Sequence, residues 1–199
     1  MHPYQHAASH PDKLAFVIAD TGETLTYRQL DDGSNRVAQL FRALGLQPGD
    51  RVGVMLKNSR EFPIIYWGAQ RSGIFLALLS SHLKAAEAAY ILNDSSAKAF
   101  ITSADDVGAA PVELVAQRGE LIPLVKDIFD TSHQPFAGAR SLHEALAALP
   151  TTPIADQTAG YHLLYSSCTT GRPKGILHKF NPGPIEQLSP SDSSVDGCK

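Results

Sequence analysis

Between Tyr165 and Gly175 the chain reads YSSCTTGRPKG. Four hydroxyls (Ser166, Ser167, Thr169, Thr170), two glycines (Gly171, Gly175) and two cations (Arg172, Lys174) fall together there. Hydroxyls and backbone N–H groups donate to phosphate oxygens, while Arg and Lys add charge-assisted bonds to the same anion. Glycine admits positive φ and lets the backbone approach a ligand closely. The spacing is not that of the GxxxxGK[ST] loop, because Gly171 and Lys174 stand at the wrong separation and Gly175 follows the lysine. On residue types alone the segment is either a phosphate cradle or a polar surface turn.

The remaining chemistry-bearing residues do not assemble into motifs. The eight histidines are scattered, and His143-Glu144 lacks the second histidine of HExxH, so it reads as part of a surface helix. Cys168 and Cys198 form no CxxC and imply no disulfide framework. Tyr66 and Trp67 lie on an apolar helix and read as core. Arg51, Lys57 and Arg60 alternate with Asp50 and Glu61 as a solvated charged face.

Positioning the loop falls to a regular alternation of strands and helices. Leu25 to Tyr27 reads as a short strand, and Thr26 with Gln29 fits a capping box at a helix start. Leu30, Val37, Leu40, Phe41 and Leu44 follow at helical spacing, and Gly45 stops the helix. Arg51–Leu56 is then a buried strand, with a helix capped by Asn58 or Ser59 running to Arg71 and Gly73. Strands follow at Ile74–Leu79, Lys98–Thr102 and Leu121–Val125, separated by helices over Lys84–Leu92 and, more weakly, Asp105–Arg118. Asp127 to Gln157 is less regular apart from a short helix at Ser141–Leu149, and Tyr161–Tyr165 is a strand leading directly into the loop. This pattern predicts an α/β fold with a mostly parallel sheet.

With 199 residues, 43% of them hydrophobic, the chain is one domain or one domain with an appendage. Seventeen Lys and Arg against twenty Asp and Glu give a net charge of −3, which argues against coating nucleic acid or anionic membrane. The longest apolar run, Ile74–Leu79, is far short of the roughly 20 residues of a membrane-spanning helix. The opening MHPYQHAASHPDK lacks the pattern of a secretory signal, so a cytoplasmic setting is expected. Nothing in the sequence points to an oligomeric state.

Ser166 to Gly175 resembles the signature loop of the adenylate-forming enzymes, matching its pattern at every position but Cys168. The likeness continues upstream through LTYRQLDDGSNRVAQLFRALGLQPGDRVGVMLKNSREFPIIYWGAQRSGIF and AAEAAYILNDSSAKAFITS, which resemble the N-terminal region of acyl-CoA synthetases. The resemblance implies that residues 1–178 are the N-terminal part of the family's large domain. It implies a reaction in which a carboxylic acid, fatty by overall likeness, attacks the α-phosphate of ATP. The thiol of coenzyme A then displaces AMP. By the same resemblance Ser166, Ser167, Thr169 and Thr170 would donate hydroxyls to the β- and γ-phosphates, with Mg²⁺ assisting. Gly171 and Gly175 would let the backbone approach, and Lys174 would meet phosphate oxygens. A peptide-synthetase adenylation module or an aryl acid ligase lies within the same family.

Two departures bear on activity. Cys168 stands where the family has glycine, and a side chain at a positive-φ position costs on the order of 1 kcal/mol or more and crowds the phosphates. It reads either as a substitution that weakens the loop or as a redox-sensing thiol. Lys179 to Lys199 holds three Pro, four Ser and two Gly with neither helical nor strand period, and it is expected to be a disordered, unrelated tail. The family's catalytic lysine of adenylation has no counterpart in this chain, so catalysis by these residues alone is not expected, and no catalytic residue is assigned. The sequence fits a truncated ligase, a non-catalytic nucleotide- or phosphate-binding module, or an unstable truncation product.

Overall fold

The computed structural model describes residues 2–166, 174–176, 180 and 182–187. Helix α1 (Pro3–Ser9) is followed by an antiparallel ribbon of β1 (Leu14–Val17) and β2 (Thr24–Thr26). Helix α2 (Tyr27–Ala43) then starts at the expected capping box. The amide of Gln29 donates to the Thr26 hydroxyl, and the Thr26 amide donates to the Gln29 side chain at 3.0 Å. Gly45, at φ 76°, follows the helix end.

Strand β3 (Arg51–Met55), helix α3 (Glu61–Ser72) and strand β4 (Phe75–Leu78) form the first crossover, with Gly73 closing α3 at φ 71°. Helix α3 starts later than expected: Arg60 occupies the cap position with no side-chain bond, and Asn58 and Ser59 do not serve it. Helix α4 (Ala85–Asp94) returns the chain to β5 (Ala99–Thr102). The short helices α5 (Ala104–Val107), α6 (Ala110–Ala116) and α7 (Arg118–Leu121) lead to β6 (Asp127–Asp130). Strand β7 (Arg140–Ser141), helix α8 (Leu142–Ala147), strand β8 (Tyr161–Ser166) and strand β9 (Lys174–Ile176) follow, with a 3₁₀ turn at Ile185–Gln187.

The main sheet has the order β7-β6-β5-β3-β4-β8-β9, parallel from β7 to β8, with β9 antiparallel at the end. The α/β expectation is met. Side chains on successive strand residues point to opposite faces, and both faces are covered. Phe75, Phe100, Ile128 and Leu163 pack with Leu92 of α4 and Leu114 of α6 on one side. Val52, Val54, Leu76, Ile101 and Phe129 pack with Phe41, Ile65 and Leu142 from α2, α3 and α8 on the other.

One expected strand does not form. Leu121 ends a helix rather than starting a strand, and the pairing segment is Asp127–Asp130, inside the stretch read as irregular. Ile122 and Val125 enter the core from the connection instead. In the tail expected to be disordered, the described residues make defined contacts. Phe180 meets Phe75 edge-on at 5.9 Å, Ile185 is buried, and Gly183 accepts from the Ala159 amide at 2.9 Å. The rest of Lys179–Lys199 lies outside the described residues.

Candidate functional site

Strand β8 reaches the site through a tight passage. Gly160 sits where a Cβ would collide with the carbonyl oxygens of Ala69 and Ile74, and its amide donates to Gln70 at 2.8 Å. The strand then pairs with β4, Phe75 opposite Tyr161 and Ala77 opposite Leu163, which locks its register to the core. On the α3 side the Tyr66 hydroxyl lies 3.3 Å from Nδ1 of His162.

At its far end β8 pairs with β9: Leu164 opposite Ile176, Tyr165 opposite Gly175, and Ser166 opposite Lys174. Ser166 and Lys174, which flank most of the segment singled out by residue type, are thus paired at the end of the sheet. Ser167, Cys168, Thr169, Thr170 and Gly171 lie outside the described residues, as do Arg172, Pro173 and His178. Of the expected phosphate-binding residues, the backbones of Ser166, Lys174 and Gly175 are described, and they lie in the β8–β9 pair.

Gly175 has a packing requirement of its own. It lies in paired strand without positive φ, and a Cβ there would stand 2.8 Å from Cζ and 3.0 Å from Cε1 of Tyr165. The half-buried Tyr165 ring covers this strand position across the pair, a cross-strand aromatic–glycine contact. Its hydroxyl donates to Oδ2 of Asp94, the last residue of α4, at 2.8 Å. Burial first, and then the Asp94 carboxylate, push the Tyr165 hydroxyl well above the ordinary phenol range, so it remains a donor. Sequence reasoning assigned neither residue a role. No local signal joins Asp94 to a tyrosine far along the chain.

A cleft of about 580 Å³ lies elsewhere, between α1, α2 and the segment at Pro184–Glu186. Its charged wall includes Asp31 and the almost wholly buried Arg71, whose Nη2 donates to Oδ1 of Asp31 at 2.5 Å. Burial lowers the Arg71 pKa and the Asp31 carboxylate opposes that shift. Tyr4 closes the rim by donating to Glu186 at 2.7 Å. Tyr165 and Gly175 do not line this cleft. Among the described residues no three of His, Cys, Asp and Glu gather in an arrangement that would hold a metal ion, and no helix is long and apolar enough to cross a membrane. The hydroxyls and the lysine of the segment are residue types that suit phosphate oxygens, and the hydroxyls could also ligate an ATP-borne Mg²⁺.

Comparison with known proteins adds to this geometry. The sequence matches the family described as AMP-binding enzyme over residues 4–182. It is 38% identical over 181 residues to long-chain fatty acid transport protein 1 of Mus musculus, covering 86% of this chain and 27% of that one. It is 32% identical over 177 residues to the long-chain-fatty-acid–CoA ligase FadD13 of Mycobacterium tuberculosis, covering 87% of this chain and 33% of that protein. Among solved structures, the anthranilate CoA ligase AuaEII in complex with anthranoyl-AMP superposes with a TM-score of 0.76 at 28% identity. That match covers 88% of this chain and 33% of the other. The chain thus spans about a third or less of these proteins' length.

Proposed function

The chain belongs to the AMP-binding enzyme family, and on that premise we propose that it supplies the triphosphate-binding part of an AMP-forming acid–CoA ligase. The observation that carries this reading is the antiparallel pair of Ser166 with Lys174. It brings the two ends of the hydroxyl- and cation-rich segment to one point at the edge of a sheet that is otherwise parallel and buried on both faces.

In the reaction proposed for the whole ligase, the oxygen of a carboxylate attacks the α-phosphorus of ATP. The bond to the β-phosphate bridge breaks, giving an acyl-adenylate and pyrophosphate, and the thiolate of coenzyme A then displaces AMP from the acyl carbon. The residues of this chain act on the leaving half. Lys174 and the Ser and Thr hydroxyls hold the β- and γ-phosphates and stabilise charge as pyrophosphate departs. Mg²⁺ bound to the triphosphate would neutralise further charge there. The names of two relatives support a long-chain fatty acid as the acid.

On their own, these 199 residues are proposed to bind the phosphates without completing acid activation. The test is a calorimetric titration of the purified chain with Mg·ATP, alongside acid-dependent exchange of labelled pyrophosphate into ATP using a long-chain fatty acid and anthranilate. Binding without exchange is expected. Absence of binding would overturn the phosphate reading, and exchange by the chain alone would overturn the division of labour.

A further inference from the structure

The hairpin that carries the loop has a mechanical weakness. Among the described residues, strand β9 is the last in the sheet order and its backbone pairs with β8. Strand β8 in turn pairs with β4 through Leu163, and among the described residues its outer residues Leu164 to Ser166 pair with β9. A two-stranded ribbon projecting from a sheet is marginally stable without other support. Among the described side chains of this pair, Tyr165 supplies support.

Tyr165 does so at two points. Its ring lies against Gly175 on the partner strand, close enough that a side chain there would force the ring to shift. Its hydroxyl reaches down to Asp94 at 2.8 Å. Asp94 stands at the C-terminal end of α4, where a carboxylate is disfavoured by the helix dipole, so nothing in the helix itself calls for an acid there. Helix α4 is a firm anchor. Ala88, Ile91 and Leu92 are buried beneath the sheet, and its first turn is fixed by the Lys84 amide donating to Glu87 at 2.9 Å. The line Gly175–Tyr165–Asp94 thus joins the paired strands to an element packed into the core, one residue before the closing pair Ser166–Lys174.

We infer that Tyr165 and Asp94 are positioning residues for the phosphate loop, tying the mouth of the hairpin to α4 through the hydroxyl–carboxylate hydrogen bond. This inference rests on the phosphate reading given above for the loop. It concerns orientation only, since neither residue is required to touch the phosphates. Burial first, and then Asp94, raise the Tyr165 pKa, so the hydroxyl keeps its proton and remains a donor to Asp94.

The test uses the 199-residue chain with Tyr165→Phe, Asp94→Ala, Asp94→Asn and the Tyr165→Phe/Asp94→Ala pair. Two readouts are taken: hydrogen exchange of amides in β8 and β9 against those in β3 and β5, and calorimetric binding of Mg·pyrophosphate. Tyr165→Phe and Asp94→Ala should each speed exchange in the hairpin and weaken pyrophosphate binding by about fivefold, the worth of one such hydrogen bond. Exchange in β3 and β5 should not move. Asp94→Asn, which keeps an acceptor oxygen, should retain most of the wild-type behaviour, and the pair should be no worse than either single change because both remove one interaction. Unchanged hairpin exchange in Tyr165→Phe would overturn the tie. So would equal pyrophosphate affinity in Tyr165→Phe when the unsubstituted chain binds. If the unsubstituted chain takes up no pyrophosphate, the phosphate reading falls, and the exchange data alone decide whether Tyr165 and Asp94 orient the hairpin.

Discussion

Tyr165 and Gly175 face each other across the antiparallel pair so closely that a Cβ on the glycine would stand 2.8 Å from the tyrosine ring. In this part of the motif the glycine is required by a neighbouring aromatic rather than by an unusual backbone angle. The conformational argument for glycine in phosphate loops therefore does not apply at position 175.

Gly175→Ala is expected to destabilise the hairpin by about 1–3 kcal/mol, the usual cost of forcing a methyl into filled space. The same change in a Tyr165→Val background should cost much less, because the ring is gone. Urea unfolding followed by hairpin amide exchange measures both. Equal costs in the two backgrounds would show that the ring is not the obstacle.

The second prediction concerns acid. His2 is fully buried against Trp67, at 4.9 Å between ring centroids. Burial first, then the Arg71 guanidinium and the N-terminal ammonium, lower its pKa from 6.5 to about 3. The folded state therefore holds His2 neutral, while the unfolded chain takes up a proton below its ordinary pKa. The stabilisation is complete above pH 6.5 and is lost as pH falls from there toward 3. Urea midpoints measured through that window should drop, at up to about 1.4 kcal/mol per pH unit for a single proton, until α1 undocks locally. His2→Gln should flatten the fall, and an equally steep fall in that variant would remove His2 as its cause.

The third prediction concerns the one departure from the family loop. If the glycine of the family's pattern serves a positive-φ position, Cys168→Gly should tighten Mg·pyrophosphate binding by about fivefold, the conversion of roughly 1 kcal/mol. Cys168→Ala, which keeps a Cβ, should not. Unchanged affinity in Cys168→Gly would show that position 168 carries no such strain.

How much of this was legible in the sequence depended on how local the cause was. The Thr26–Gln29 capping box, the glycine stops at Gly45 and Gly73 and the apolar strands around Val52, Leu76 and Phe100 are set by residues within one turn or one strand, and each was readable. Strand β6 was not. Its sequence, DIFD, puts an acid at each end, and both acids are served from outside the strand. Asp127 pairs with Arg140 at 2.6 Å, and Asp130 accepts from the amides of Ser132, Ala104 and Phe136. Helix α1 and strand β1 were also missed, since Leu14, Phe16 and Val17 remain exposed and give no alternation to read. At the site, the hydroxyls, the lysine and the glycines were visible as a cluster. The support beneath them was not, because Tyr165 and Asp94 meet only through the fold.

The central claim is that the segment closed by Ser166 and Lys174 binds the outer phosphates of ATP. The most direct measurement is a calorimetric titration of the 199-residue chain and of Lys174→Ala with Mg·pyrophosphate at matched ionic strength, with thermal melts to confirm that both are folded. Saturable binding to the unsubstituted chain is expected, with at least a tenfold loss in Lys174→Ala, about 1.4 kcal/mol or more, as for a charge-assisted contact. Equal affinity in the two folded proteins, or no binding by the unsubstituted chain, would contradict it.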